Sequence, residues 1–222
     1  MSRFIVIEGL IGVGKTSLCK LVEREWQAKL VLEPAEHNPF LASFYADPVR
    51  YAFATQMFYL ASRYQQQEAL AQGELFTDLV VSDYIWQKDR LFAEQTLADA
   101  EMDLYDRFSG LLAGRVAAPD FVLFLDAPTD VILSRIGRRA IESEQVIPAD
   151  YLNQLRERYY ALWDRYEAAP VYVLNTTDRN YVDSADDARE MLAMLRGWLD
   201  GAPVEGAPAR YRKGTSQLDL FA

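Results

Sequence analysis

The chain has 222 residues, half of them hydrophobic and a quarter charged, a composition that fits one sizeable α/β domain and excludes a disordered or fibrous chain. Acidic residues outnumber basic ones 33 to 23, for a formal charge of −10, which argues against a nucleic-acid partner while leaving room for local basic patches that hold a small anion. The single cysteine (Cys19) and single histidine (His37) exclude an internal disulfide, a multi-cysteine metal site and a histidine cluster.

Five short β-rich runs recur along the chain, at residues 4–7, 30–32, 79–82, 121–125 and 171–174. Most are continuously apolar, as parallel strands covered on both faces are. Between them the apolar period becomes helical. Leu18, Leu21, Val22 and Trp26 mark one helix face, Phe53, Met57, Leu60 and Tyr64 a second, and Leu152, Leu155, Tyr159, Leu162 and Tyr166 a third. Met191, Leu192, Leu195 and Leu199 predict a final helix. Strands alternating with helices define an α/β fold, a parallel sheet with helices on both faces and right-handed crossovers. The Gly- and Pro-rich stretch after residue 200 reads as a connector, so the expectation is one domain over 1–200 and a flexible tail over 201–222, which could dock through Leu218, Leu220 and Phe221. No apolar run is long enough for a signal peptide or a membrane span, so the chain is expected to be cytoplasmic, with no membrane partner. His37, between Glu36 and Asn38, reads as a solvated loop residue.

The strongest motif is Gly9-Leu10-Ile11-Gly12-Val13-Gly14-Lys15-Thr16, a full match to the phosphate-binding loop that sits between a strand and a helix. Its glycines let backbone amides face an anion, and the helix N-terminus adds a favourable dipole. Lys15 would reach the β- and γ-phosphates, Thr16 would hold Mg²⁺, and Ser17 joins the phosphate-binding set. A P-loop NTPase fold with ATP as ligand follows. The base-reading and switch motifs of GTPases are missing.

Further residues point to a phosphoryl acceptor. Glu33-Pro34 follows the second strand, where parallel sheets put ligand groups, and Glu33 could accept a hydroxyl proton. Gln56 and Arg63 are two helical turns apart on one face, able to present donors and an acceptor to a nucleobase; a solvated polar face is the alternative. Arg135, Arg138 and Arg139 share one helical side and would converge positive charge on a transferring phosphoryl group.

With these motifs the chain resembles the deoxynucleoside kinases, the group that contains deoxycytidine, deoxyguanosine and bacterial deoxyadenosine kinases. The resemblance runs from Phe4 to about Asn175. It is carried by the stretch from Ile7 to Ser17, Glu33-Pro34, Asn38-Pro39-Phe40-Leu41, Phe44-Tyr45, the stretch from Tyr51 to Gln56, Ser62-Arg63, the stretch from Lys88 to Ala93, and an Arg-rich segment before Glu144-Gln145. It implies Mg²⁺-dependent transfer of the ATP γ-phosphoryl to the 5′-hydroxyl of a deoxynucleoside in nucleotide salvage. By resemblance Glu33 is the base for that hydroxyl, and Gln56 reads the nucleobase with Arg63 and Asp89. Phe92 packs on the nucleobase, while Tyr45 and Glu144 hold the sugar 3′-hydroxyl. The Arg63–Asp89 combination resembles the purine and cytosine branch, not the thymidine-accepting one. A homodimer through helices around residues 50–72 and 85–113 is implied as well, and a donor-base pocket near residues 175–180.

One departure stands out. Where most members have an acid followed by Arg and Ser after the third strand, this chain has Asp83-Tyr84-Ile85. Asp83 can still serve Mg²⁺, with Asp126 a lower-ranked second candidate, but Tyr84 supplies no positive charge. Either Lys88 or a lid arginine takes over that contact, or activity is reduced. The alternatives are a thymidylate-kinase-like monophosphate kinase, disfavoured because Glu33 and Glu36 would repel an acceptor phosphate, and a non-catalytic scaffold relative.

Overall fold

The computed structural model describes residues 3–34, 37–71, 78–112, 116–141, 144–202, 204–215 and 217. Five strands, β1 (Arg3–Gly9), β2 (Lys29–Val31), β3 (Leu79–Ser82), β4 (Phe121–Asp126) and β5 (Val171–Asn175), form one all-parallel sheet in the order β2-β3-β1-β4-β5. Side chains alternate across a strand, and here both faces are covered, so the strands are apolar throughout. Ile5 and Ile7 of β1 and Leu123 and Leu125 of β4 meet α1 (Lys15–Trp26) and α8 (Ala185–Leu199) through Leu18, Val22, Met191 and Leu195. Val6, Val122 and Phe124 point the other way, toward α6 (Thr129–Arg139) and α7 (Ala149–Trp163), where Ile132, Ile136, Leu152, Leu155 and Tyr159 receive them. The five strands and the α1, α7 and α8 faces agree with the sequence reading to within a residue or two.

The remaining helices are α2 (Leu41–Ala46), α3 (Pro48–Ala71), α4 (Lys88–Thr96) and α5 (Asp99–Leu112). Helix α3 differs from expectation in the face it buries. Ala52, Thr55, Gln56, Leu60, Arg63 and Gln67 are the buried side chains, while Phe53, Met57 and Tyr64 of the predicted apolar stripe are only half-buried. Polar groups occupy the inward face because that face lines a cavity. The solvated-face alternative for Gln56 and Arg63 does not hold.

The segment expected to be a flexible tail lies, over 204–215, against the body. The Tyr211 amide donates to the Val171 carbonyl at 2.7 Å, its hydroxyl to Asp164 at 2.9 Å, and Val204 packs on the core beneath α8. The docking residues Leu218, Leu220 and Phe221 lie outside the described residues, as does Glu36. Among the described residues no helix is long and apolar enough to cross a membrane.

Strand β1 runs directly into the phosphate loop and the loop into α1. Gly14, the residue before the helix, has φ 110°, a conformation that costs a side chain strain. A Cβ there would also press on the Tyr181 hydroxyl, which donates to the Gly14 carbonyl at 3.1 Å. Gly14→Ala is therefore expected to destabilise the fold by about 1–3 kcal/mol, measured as a fall in the urea midpoint at unchanged slope.

Candidate active site

Two cavities of about 520 Å³ each open at the C-terminal ends of the strands, on either side of the phosphate loop. They share Gly12, Lys15, Thr16, Lys20 and Arg139 as a common wall. The cavity beside α6 is lined by the loop, Ser17, Arg135 and Arg138, and by residues 179–183 that follow β5. The other lies between the loop, α2, α3 and α4 and is lined by Gly9, Glu33, Tyr45, Gln56, Arg63, Phe92 and Glu144. Asp89 lies behind Arg63, not on the cavity surface.

On the loop, the Lys15 ammonium donates to the Leu10 carbonyl at 2.9 Å, and the Thr16 hydroxyl donates to Asp83 Oδ2 at 2.8 Å. Burial lowers the Lys15 pKa, and the charge of Lys88 lowers it further. The negative charge of an anion in the loop would oppose both effects. The other oxygen of Asp83 accepts the Glu33 amide at 2.8 Å, so one carboxylate at the end of β3 fixes both the phosphate-side hydroxyl and the start of the acceptor loop. Among the described residues no cluster of three or more His, Cys, Asp or Glu groups forms a metal cage. A hydroxyl beside a carboxylate suits a Mg²⁺ ion that keeps most of its coordination for phosphate oxygens and water.

The acceptor-side cavity is built on a buried chain of alternating charge. Glu8, at the end of β1 and fully buried, accepts from the Gly9 amide, the Ile85 amide and the Tyr159 hydroxyl. Lys88 Nζ lies 3.7 Å from Glu8 and 3.1 Å from Glu33. Arg63 donates to Glu33 with one terminal nitrogen and to Asp89 with the other, and Asp89 accepts the Tyr105 hydroxyl. Burial alone would raise the Glu33 carboxyl, but the charges of Lys88 and Arg63 hold it down at about 2. Burial works against the charge on Lys88 too, and the two carboxylates outweigh it. Asp89 goes the other way: burial raises it despite Arg63.

Gln56 is oriented by its neighbour on α4. The Thr96 hydroxyl donates to the Phe92 carbonyl at 2.6 Å, which uses its one hydrogen, so it can only accept from Gln56 Nε2, at 3.1 Å. The Gln56 amide is thereby turned with Oε1 free. Gln56 Oε1, Arg63 Nε, Thr55 Oγ1 and Glu144 Oε2 are buried without a partner among the described residues, and all four residues line this cavity.

The other expectations fall as follows. Arg139 reaches Glu144 at 3.5 Å on the wall between the cavities. Arg138 is exposed at the rim. Arg135, expected at the transferring phosphoryl group, instead donates to the Thr176 hydroxyl at 2.9 Å, the Val13 carbonyl at 3.3 Å and the Thr176 carbonyl. It ties the phosphate loop to the end of β5. Asp126 is not a metal candidate: it is fully buried under Arg156 at 3.1 Å and accepts from Ala127 and Tyr160. His37 is exposed, at the cavity rim. Tyr84 is buried, with its hydroxyl on Gln66 and its ring 5.5 Å from the Arg63 guanidinium, and Lys88 is the cation beside Glu33. Sequence reasoning missed Glu8, Tyr59, Thr96, Tyr105 and Tyr159. Only Glu8 carried a signal, as an acid closing an apolar strand at the phosphate loop.

A P-loop, a donor-side cavity and an acceptor-side cavity sharing a wall define a nucleotide-dependent phosphotransferase. The deoxynucleoside kinase family model matches residues 5–198. The chain is 33% identical over 198 residues to the deoxyguanosine kinase of Bacillus subtilis (strain 168), covering 87% of this chain and 96% of that protein. It is 27% identical over 201 residues to the deoxyadenosine/deoxycytidine kinase of the same organism, covering 87% and 92%. The structure of deoxyadenosine kinase from M. mycoides with bound dATP superposes with a TM-score of 0.75 at 20% identity, covering 89% of this chain and all of that one. The chain belongs to the deoxynucleoside kinase family, and its reaction is phosphoryl transfer from ATP to a deoxynucleoside.

Two outcomes follow from the geometry. Thr96→Val removes the anchor of the Gln56 amide and is expected to cost about 0.5–1.5 kcal/mol of transition-state stabilisation, up to roughly tenfold in kcat/KM for the preferred acceptor; Thr96→Ser should restore it. Because folding depresses the Glu33 carboxyl from 4.5 to about 2, its ionised form stabilises the fold above pH 4.5, and that contribution is lost as the pH falls toward 2. The gap in urea midpoint between the chain and Glu33→Gln should therefore narrow from about pH 6 to about pH 3. A gap that stays constant would mean that the ion pairs do not outweigh burial.

Proposed function

We propose that the chain phosphorylates the 5′-hydroxyl of a purine deoxynucleoside, with deoxycytidine as the alternative acceptor, using ATP with Mg²⁺ in cytoplasmic nucleotide salvage. The observation that carries this reading is the set of unpartnered buried atoms in the acceptor-side cavity: Gln56 Oε1, Arg63 Nε, Thr55 Oγ1 and Glu144 Oε2. Buried polar groups rarely go unsatisfied, and these offer both donors and acceptors to a polar ligand. The names of the relatives, deoxyguanosine kinase and deoxyadenosine/deoxycytidine kinase, support the same acceptor class. Arg63, held from behind by Asp89, stands beside Gln56 in the cavity wall and would mispair with a thymine edge. Rejection through unpaired polar groups can reach about 10⁴–10⁵.

In this mechanism the triphosphate lies along the phosphate loop, with Lys15 against its terminal phosphates and its base beside residues 179–183. Mg²⁺ at Thr16 and, through water, Asp83 would supply charge neutralisation when bound. Tyr45 and Glu144 hold the 3′-hydroxyl, and Phe92 packs on the nucleobase. Glu33 accepts the 5′-hydroxyl proton as that oxygen attacks the γ-phosphorus. Arg139, with Arg138 beside it, stabilises the transferring phosphoryl group from the shared wall. Arg135 acts as a positioning residue for the loop.

A homodimer accounts for the outer face of α5, where Leu104, Phe108 and Leu111 follow one another at helical spacing with 41%, 43% and 81% exposure. Contiguous apolar surface of this kind is covered in most soluble proteins.

The test is ATP- and Mg²⁺-dependent phosphorylation of deoxyguanosine, deoxyadenosine, deoxycytidine and thymidine, with thymidine monophosphate alongside. Turnover of a purine or cytosine deoxynucleoside is expected, reduced by roughly 10²–10⁴ in Glu33→Gln. Turnover of thymidine monophosphate alone would overturn the acceptor assignment.

A further inference from the structure

Arg63 joins the two ends of the acceptor cavity. Its Nη1 donates to Asp89 and its Nη2 to Glu33, while Nε is buried with no partner among the described residues. The first contact lies at the base-reading end with Gln56, the second at the phosphoryl end beside Lys88. The guanidinium is held between the rings of Tyr59 and Tyr84, 5.1 and 5.5 Å away. Tyr84 is anchored in turn through its hydroxyl to Gln66, which donates to the Leu32 carbonyl at 2.9 Å. The Arg63 side chain is 2% exposed and that of Glu33 19%, so Arg63 is the more deeply buried partner and Glu33, on the loop after β2, the more accessible one.

An acceptor with its sugar at Glu33 and its nucleobase at Gln56 and Arg63 must occupy the space that this ion pair crosses. We propose that Arg63 couples recognition of the nucleobase to release of the catalytic base: an acceptor whose base engages the guanidinium displaces Glu33, which then takes the 5′-hydroxyl proton. The inference rests on the roles given to Glu33 and Arg63 in the proposed function. In the released state the 5′-oxygen bonds to the γ-phosphorus. The bond from that phosphorus to the β–γ bridging oxygen breaks with its electron pair leaving on ADP, and the hydroxyl proton passes to a Glu33 carboxylate oxygen. Arg63 holds one oxygen of the Glu33 carboxylate and Lys88 the other, so neither is free to take a proton until one of these partners is given up. An acceptor with no base, or the wrong one, leaves the clamp closed. Selectivity is then expressed in kcat as well as in KM.

The test compares saturating kcat for the preferred deoxynucleoside and for 1,2-dideoxyribose, the same sugar without a base, in the unaltered chain and in Arg63→Met. In the unaltered chain the baseless sugar should turn over roughly 10²-fold more slowly. In Arg63→Met the two kcat values should fall within about threefold of each other, with KM for the deoxynucleoside raised. A kcat ratio that the substitution leaves intact overturns the coupling. If Arg63→Met turns over neither sugar, a structure of the unaltered chain with deoxynucleoside bound decides. An Arg63–Glu33 separation beyond about 4 Å supports the release, and an intact pair overturns it. Full activity in Glu33→Gln would instead overturn the underlying role of Glu33, so the two failures are distinguishable.

Discussion

The site hangs on a row of buried charges, Glu8, Lys88, Glu33, Arg63 and Asp89, that runs from the phosphate loop to the far wall of the acceptor cavity. Each sign is flanked by the opposite one. Removing these groups from water costs several kcal/mol per ion unless geometry and further hydrogen bonds compensate, and here they do. Glu8 is satisfied by two backbone amides and a tyrosine hydroxyl, and Asp89 by Tyr105. Such a row is weak evidence for stability, since a well-packed apolar core does as well. Its presence at the ends of β1 and β2 is therefore better explained by chemistry. It holds the Glu33 carboxylate ionised and in place on the wall of the acceptor cavity.

Two features of the sheet make that arrangement possible. All strands are parallel, so their C-terminal ends and the loops after them gather on one edge. β1 lies at the centre, flanked by β3 and β4, so the phosphate loop emerges between the halves that build the two cavities. The two cavities thus open on opposite sides of the loop and meet at Lys15, Thr16 and Arg139. Arg135, clamped on Val13 and Thr176, keeps the loop in register with the end of β5.

Tyr84 illustrates how a departure from the family pattern is absorbed. Its ring takes no charge-bearing role but packs on Arg63, with its hydroxyl on Gln66. Besides Arg63, the positive charge next to Glu33 comes from Lys88, the first residue of α4, six residues beyond the end of β3. Aromatic faces hold guanidinium groups well, so Tyr84 firms the grip on Arg63 in the wall of the acceptor cavity.

The sequence alone determined the five strands, the phosphate loop and the amphipathic helices α1, α7 and α8, because these depend on local chain geometry and on a period that burial imposes. The spacing of Gln56 and Arg63 put them on one face, but apolar periodicity misplaced the buried stripe of α3: this helix turns Thr55, Gln56 and Arg63 inward to a cavity walled also by α2 and α4. The sequence could not tell whether Lys88 or a lid arginine replaces the missing cation, nor that Asp126 pairs with Arg156 thirty residues away. Which charges become neighbours is decided where strands and helices distant in sequence come together. The charges of Lys88 and Arg63 then keep Glu33 ionised against the cost of burial, so its state is a property of the folded site and of no segment within it.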